Sequence, residues 1–311
     1  MSEYISTTLA DRRDRIGALA FDYQAQERSR VERCNLCDGS VFTVLTHRDR
    51  YGFPATASAC DRCGLVFLDP VMSARAYSRF YAGTYRPLVS AYHGRLIDAR
   101  TIQGEQHEYA ADRADLLAPY LEAGGARTLL DIGGSTGIVA HALARRFGLT
   151  ATVVDPAPLE AAEAQTLGLE TIEGLIEEID LGTRRFDAVI VCQTADHLLD
   201  VAGTLRRIRQ LLSERGILFI DIVDFRAACL RNWSVEEAIK IDHPYYFTES
   251  TMAAYLRRSG FEIVRTDYAG DHLHVSYVAR PAAADAGALP RRREVRELLR
   301  EVRFVQNAPR P

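Results

Sequence analysis

Through the middle of the chain, short apolar blocks alternate with stripes at helical spacing. Leu129–Leu130, Ala151–Val154, Leu169–Glu173, Phe186–Cys192 and Gly216–Ile222 read as buried strands. After the first of them, Ile138, Val139, Ala142, Leu143 and Phe147 recur at helical spacing until Gly148 stops the helix. Further helix-like segments lie at 157–167 and 197–213, and a helix is expected over Thr248–Ser259. Strands over Glu262–Tyr268 and His272–Arg280 close the series. Alternation of this kind predicts βαβ units and an α/β fold with a mostly parallel, doubly wound sheet. The last two strands, joined by a short turn, predict an antiparallel hairpin at one edge.

The first strand runs into Asp131-Ile132-Gly133-Gly134-Ser135-Thr136-Gly137, a glycine-rich turn that opens a helix. Such a turn lets backbone approach a ligand, because glycine carries no side chain and tolerates positive φ. Strand, turn and helix in that order form a nucleotide-binding unit with the ligand at the helix N-terminus. The second strand ends in Asp155, which lies 22 residues after Gly133 and is placed to accept hydrogen bonds from two ribose hydroxyls. The turn resembles the first motif of class I S-adenosylmethionine (SAM) methyltransferases, D-x-G-x-G-x-G, with Ser135 where the middle glycine often sits. Five βα units plus the hairpin are similar to the seven-stranded, Rossmann-like sheet of that family. The resemblance covers roughly residues 105–280. It implies SAM as cofactor, with Asp131, Gly133, Gly134, Gly137 and Asp155 on the cofactor side.

Outside that region, Cys34-Asn-Leu-Cys37 and Cys60-Asp-Arg-Cys63 are two C-x-x-C pairs with 22 residues between them. Each pair forms a knuckle whose thiolates can reach one tetrahedral ion, and the segment between them is long enough for a hairpin. Four thiolates leave no open position, so the expected zinc is structural and orders residues 30–70. Cys192 and Cys229 sit in apolar or helical contexts and read as small core residues.

The fourth strand ends in Cys192-Gln193-Thr194-Ala195-Asp196-His197, where strand order is expected to reverse and ligands bind. Gln193 and His197 are therefore placed near the sulfonium and the acceptor. Asp221 and Asp224 are expected on the same rim, as partners for an acceptor hydroxyl or amine. In Ile241-Asp242-His243-Pro244-Tyr245-Tyr246-Phe247-Thr248, a histidine preceded by an acid, just before a helix with Thr248 as N-cap, has the makings of an oriented general base.

A closer resemblance joins these parts. The two-knuckle cysteine module followed by CGLVFLDP, a Tyr-rich helix, the SAM core and DHPYYFT together resemble the zinc-containing methyltransferases of deoxysugar and surface-glycan pathways. The sugar C-methyltransferases of that group read Y-H-E-H-x-x-Y-F-S in the loop. His243 matches the second histidine and Asp242 the glutamate, whereas Lys240 and Ile241 stand where the tyrosine and first histidine would be. The resemblance implies His243 as base with Asp242 orienting it, and tyrosines of the helix closing over the site. Tyr81 and Tyr85 are the expected lid contacts, Tyr85 toward the cofactor. It implies a small-molecule acceptor, a nucleotide-linked sugar or sugar-containing natural product. O- or N-methylation of another natural product, methylation of RNA, and a non-catalytic SAM-binding role stay open at this point.

Composition narrows the partners. The chain has 311 residues, 47% of them hydrophobic, and a formal net charge of −4. It therefore lacks the basic excess that polyanions or anionic membranes select, and nucleic acid is not an expected partner. No apolar stretch is long enough to span a membrane, and no leader-like segment precedes the cysteine module, so a cytoplasmic location is expected. Pro281–Pro290 reads as a linker, and Arg291–Phe304 as an amphipathic helix with Val295, Leu298, Leu299 and Val302 on one face. That helix docks on its own domain or on a partner, which leaves a homo-oligomer open. The expected divisions are a helical segment over 1–30, the zinc module over 31–70, a Tyr-rich connector over 71–122, the SAM-binding core over 123–280, and the linker and terminal helix over 281–311.

Overall fold

A computed structural model describes residues 9–308. Its central sheet has seven strands: β1 (Thr128–Ile132), β2 (Thr150–Asp155), β3 (Glu170–Glu173), β4 (Phe186–Cys192), β5 (Leu212–Val223), β6 (Phe261–Tyr268) and β7 (His274–Pro281). Their spatial order is β6-β7-β5-β4-β1-β2-β3, with β7 antiparallel to both neighbours and the other adjacent pairs parallel. The expected doubly wound sheet is present. The terminal hairpin is there too, and its second strand inserts between β5 and β6, leaving β6 at the edge. Strand order reverses between β1 and β4, so a crevice opens beyond their carboxyl ends. The strands that flank it, β1, β4 and β5, are buried on both faces, as their continuous apolar runs require.

Element boundaries follow local chemistry. The helix expected over 197–213 forms only from Val201 to Leu211, because Asp200 caps it by accepting the Gly203 N–H at 2.9 Å, and residues Ala195–His197 make a 3₁₀ turn instead. Thr248 caps the helix Glu249–Arg258 in a capping box with Thr251, as anticipated. The Tyr-rich segment is two helices, Ala74–Gly83 and Tyr85–His93, separated at Thr84. Of the 1–30 segment, Leu9–Gly17 is helical and residues 1–8 lie outside the described residues.

The cysteine module is not a separate bead. Its three strands, Phe42–Thr46, Ala57–Cys60 and Val66–Leu68, form an antiparallel sheet whose fourth strand is Tyr245–Tyr246 from the methyltransferase core. Tyr245 lies opposite Phe67 and Tyr246 opposite Val66. The cysteines and Leu65 share one apolar cluster with residues of β4, β5 and the Glu249–Arg258 helix. The terminal helix, Arg292–Asn307, docks on its own chain: Val295, Leu298, Val302 and Val305 are buried, and Leu298 reaches Gly64 of the second knuckle. No helix among the described residues is long and apolar enough to cross a membrane.

Candidate active site

A cavity of about 340 Å³ lies over the carboxyl ends of β1, β2 and β4, roofed by the two Tyr-rich helices. Its floor is the glycine-rich turn. Gly133 has φ +67°, and a β-carbon there would stand 2.1 Å from Thr194 Cγ2; one on Gly134 would stand 2.6 Å from the Asp131 carboxylate. Both glycines are therefore required by close packing. Gly137 does not line the cavity. It turns the chain into the helix Ile138–Phe147 at φ +73°, with Leu169 and Ala164 packed where its side chain would be.

Three carboxylates lie beneath this turn. Asp131 is fully buried, both its oxygens lack a partner, and burial with neighbouring Asp155 pushes it up to about 8. Asp155 accepts the Ser135 N–H at 2.7 Å and the Ala157 N–H at 2.9 Å, and burial outweighs these bonds to bring it to about 6. Asp221 accepts from Tyr109 Oη at 2.5 Å, from Arg113 at 3.1 Å and from the Gln193 N–H at 2.6 Å. The expectation that Asp221 binds acceptor fails: it is held by three internal donors, has no exposed surface and does not line the cavity. Asp224 is likewise committed, capping the helix Phe225–Asn232 through the Ala227 N–H and holding the Glu249 N–H. Gln193 lines the cavity in the left-handed region, φ 48°, held there by its bond to Asp221.

The cofactor side suits SAM by its chemistry. An unpartnered, buried Asp131 and an Asp155 with a free lone pair on each oxygen offer acceptors to the ammonium and hydroxyl donors of such a molecule, beside backbone that only glycine permits.

Tyr81, Tyr85 and His197 form a further part of the wall. Tyr81 Oη lies 2.8 Å from His197 Nδ1 and 3.1 Å from the Asp242 carbonyl. His243 sits behind His197, with ring centroids 4.5 Å apart, and does not itself line the cavity. Its Nδ1 meets Asp196 Oδ2 at 2.9 Å, and its Nε2 meets Asp242 Oδ2 and Lys240 Nζ, each at 3.3 Å. Burial, together with the His243 neighbour, brings His197 down to about 4, and burial with Lys240 holds His243 well below the usual range. Both rings are neutral at physiological pH. The expected Asp242–His243 pair is adjacent, and Asp196 adds a second carboxylate on the other ring nitrogen.

The cysteine module positions this loop. Asp49 Oδ2 accepts the Ile241 N–H at 3.0 Å, Arg50 N–H donates to the Ile239 carbonyl at 2.9 Å, and Leu68 N–H donates to the Pro244 carbonyl at 3.0 Å. Within the module, the Sγ atoms of Cys34, Cys37, Cys60 and Cys63 lie within 4.8 Å of one another, with the closest pairs 3.5 Å apart and no sulfur–sulfur bond. Four thiolates each about 2.3 Å from a tetrahedral zinc lie about 3.8 Å apart, so the group fits such an ion. A side chain on Gly39 would come 3.2 Å from Cys60 Sγ.

Residues without a sequence motif complete the cavity. Arg86, on the second Tyr-rich helix, pairs with buried Glu160 at 2.5 Å and reaches Ser135 Oγ at 3.3 Å, tying the roof to the glycine-rich turn. Tyr109 lines the cavity from the helix His107–Gly124.

Comparison with known proteins places this architecture. The sequence profile described as a methyltransferase domain matches residues 102–266. Two curated relatives are ubiquinone biosynthesis O-methyltransferases: that of Methylocella silvestris is 34% identical over 97 residues, and that of Bradyrhizobium diazoefficiens 30% over 116. The matches cover 29% and 35% of this chain, and only 38% and 42% of those proteins. Among solved structures, a SAM-dependent methyltransferase from Clostridium acetobutylicum aligns at TM-score 0.47 and 13% identity, over 55% of this chain and 91% of that one. A putative O-methyltransferase from Nostoc punctiforme aligns at TM-score 0.49 and 20% identity, over 58% of each chain. The profile match spans more than half of the chain and includes the glycine-rich turn, Asp155 and His197, while Tyr81 and Tyr85 lie before it. This chain belongs to the methyltransferase-domain family.

Proposed function

We propose that this enzyme transfers the SAM methyl group to a small polar acceptor, a nucleotide-linked sugar or sugar-containing natural product, with Zn²⁺ held structurally by Cys34, Cys37, Cys60 and Cys63. The observation that carries this reading is the constellation Tyr81–His197–His243 with Asp196 and Asp242 at the acceptor end of the cavity. SAM is already activated, so the protein's work is to hold the acceptor in line with the methyl group, exclude water and remove a proton.

In this reading Asp131, Gly133, Gly134, Asp155, Gln193 and Tyr85 bound the cofactor, while Gly137 sets the backbone that presents them. Tyr81 fixes the ring of His197. His243 is the base of the cluster, reached through His197, with Asp242 orienting its ring. The names of the curated relatives favour oxygen as the methylated atom.

Mass spectrometry of the purified protein with SAM and a panel of keto sugars, hydroxylated sugars and phenols tests the acceptor class. Methyl gain on a sugar is the expected result; gain only on phenols or amines would overturn the sugar assignment. His243→Asn is expected to lower kcat by roughly 10²–10⁴-fold with little change in SAM affinity. Unchanged turnover would remove His243 from the chemistry.

A further inference from the structure

Asp196, His197 and His243 each offer one ligand atom, and these three atoms lie within 4.8 Å of one another. The far nitrogen of each ring is already occupied. Tyr81 has one hydroxyl proton, and the Asp242 carbonyl, 3.1 Å away, can only accept it. The 2.8 Å contact between Tyr81 Oη and His197 Nδ1 then uses the histidine's proton, leaving a lone pair on Nε2. His197 Nε2 lies 4.0 Å from Asp196 Oδ1. His243 directs Nε2 at Asp242 and Lys240 and Nδ1 at Asp196 Oδ2, 2.9 Å away. Two imidazoles, each fixed through its outer nitrogen by another group, thus converge on one carboxylate. Metal-ligating histidines are oriented in this way.

We propose that Asp196, His197 and His243 bind a divalent metal ion, with its open coordination position taken by an oxygen of the acceptor. The proposal rests on the reading of this cavity as the methyl-transfer site. Imidazole and carboxylate together select a first-row divalent ion, and methyl transfer moves no electrons between redox states, so zinc suits the site. Three protein ligands leave a position open, unlike the closed four-cysteine group. The ion replaces the proton between Asp196 and His243. Of the three ligands His197 lines the cavity, beside Gln193 and Thr194, and Asp196 and His243 stand behind it. An acceptor hydroxyl bound there gives its proton to the oxygen of Asp196 that the ion does not use. The acceptor oxygen then forms the new bond to the methyl carbon, and the carbon–sulfur bond breaks with its electron pair staying on sulfur. With the ion bound, His243 is a ligand in place of the base, the ion lowers the acceptor's pKa, and His243→Asn acts through loss of the ion.

The test uses the full-length protein, stripped with a chelator, dialysed against zinc and assayed by elemental analysis, with His197→Gln and Asp196→Asn alongside. The expected result is one more tightly bound zinc in the wild type than in either variant, with that equivalent bound at least 100-fold more weakly once a ligand is changed. Circular dichroism and SAM binding verify that the variants are folded. Equal zinc content in all three folded proteins would overturn the proposal. So would full turnover in wild-type enzyme from which this equivalent has been removed. If the ion binds but no sugar of the panel is methylated, the acceptor assignment falls and the metal site stands.

Discussion

A β-carbon added at Gly133 meets Thr194 at 2.1 Å in a backbone conformation, φ +67°, that side chains rarely adopt. Gly133→Ala is therefore expected to cost about 1–3 kcal/mol of stability and to weaken SAM binding, read by thermal unfolding and calorimetry. Asp155 gives a pH signature. Its native value of about 6 stands above its ordinary 3.8, so its contribution to stability is greatest below the unfolded value and is lost as pH rises through 6. The carboxylate assigned by the proposal to the cofactor hydroxyls forms over the same interval. If only the ionised form binds SAM, affinity improves roughly tenfold between pH 5 and 7, and Asp155→Asn flattens that profile. Both residues were legible in the sequence, because a glycine-rich turn and an acid at the next strand tip are local patterns. Asp196 as a partner of His243, Arg86 and Tyr109 were not: their roles come from contacts between segments far apart in the chain, which no local spacing encodes.

The decisive element is the two-residue strand Tyr245–Tyr246, paired with Phe67 and Val66 of the cysteine module. Its partner is remote in sequence, so the loop was readable as a loop and the pairing was not. The helices, by contrast, were legible wherever a cap or stop was local, as at Thr248 and Gly148, and misjudged where Asp200 started the helix later than its apolar stripe suggested. If four thiolates hold the knuckles, Cys37→Ser with Cys60→Ser should loosen residues 239–247. Hydrogen exchange there is expected to accelerate and kcat to fall, while SAM affinity, assigned by the proposal to the glycine-rich turn and Asp155, changes little. Equal loss of SAM binding would show that the module supports the whole cavity.

Across the whole molecule, three apolar clusters tie the parts together, and one of them joins the cysteines to strands β4 and β5. The central sheet was legible from alternating periods alone, whereas this fusion was not, since apolar patterning says which face is buried and not against what. The terminal helix, expected to dock somewhere, seals the underside of the cysteine module through Leu298. Leu298→Ala is expected to cost about 2–5 kcal/mol by urea unfolding, with little effect on the isolated steps of methyl transfer. The shared sheet also sets the unit in which such enzymes can be recombined. Residues 42–68 and 245–246 come from different stretches of chain, yet they share one sheet and keep a common register. A chimera that imports a new stretch around 245–246 without the strand it zips to inherits a mismatched seam, so the two segments are exchanged as one two-piece cassette.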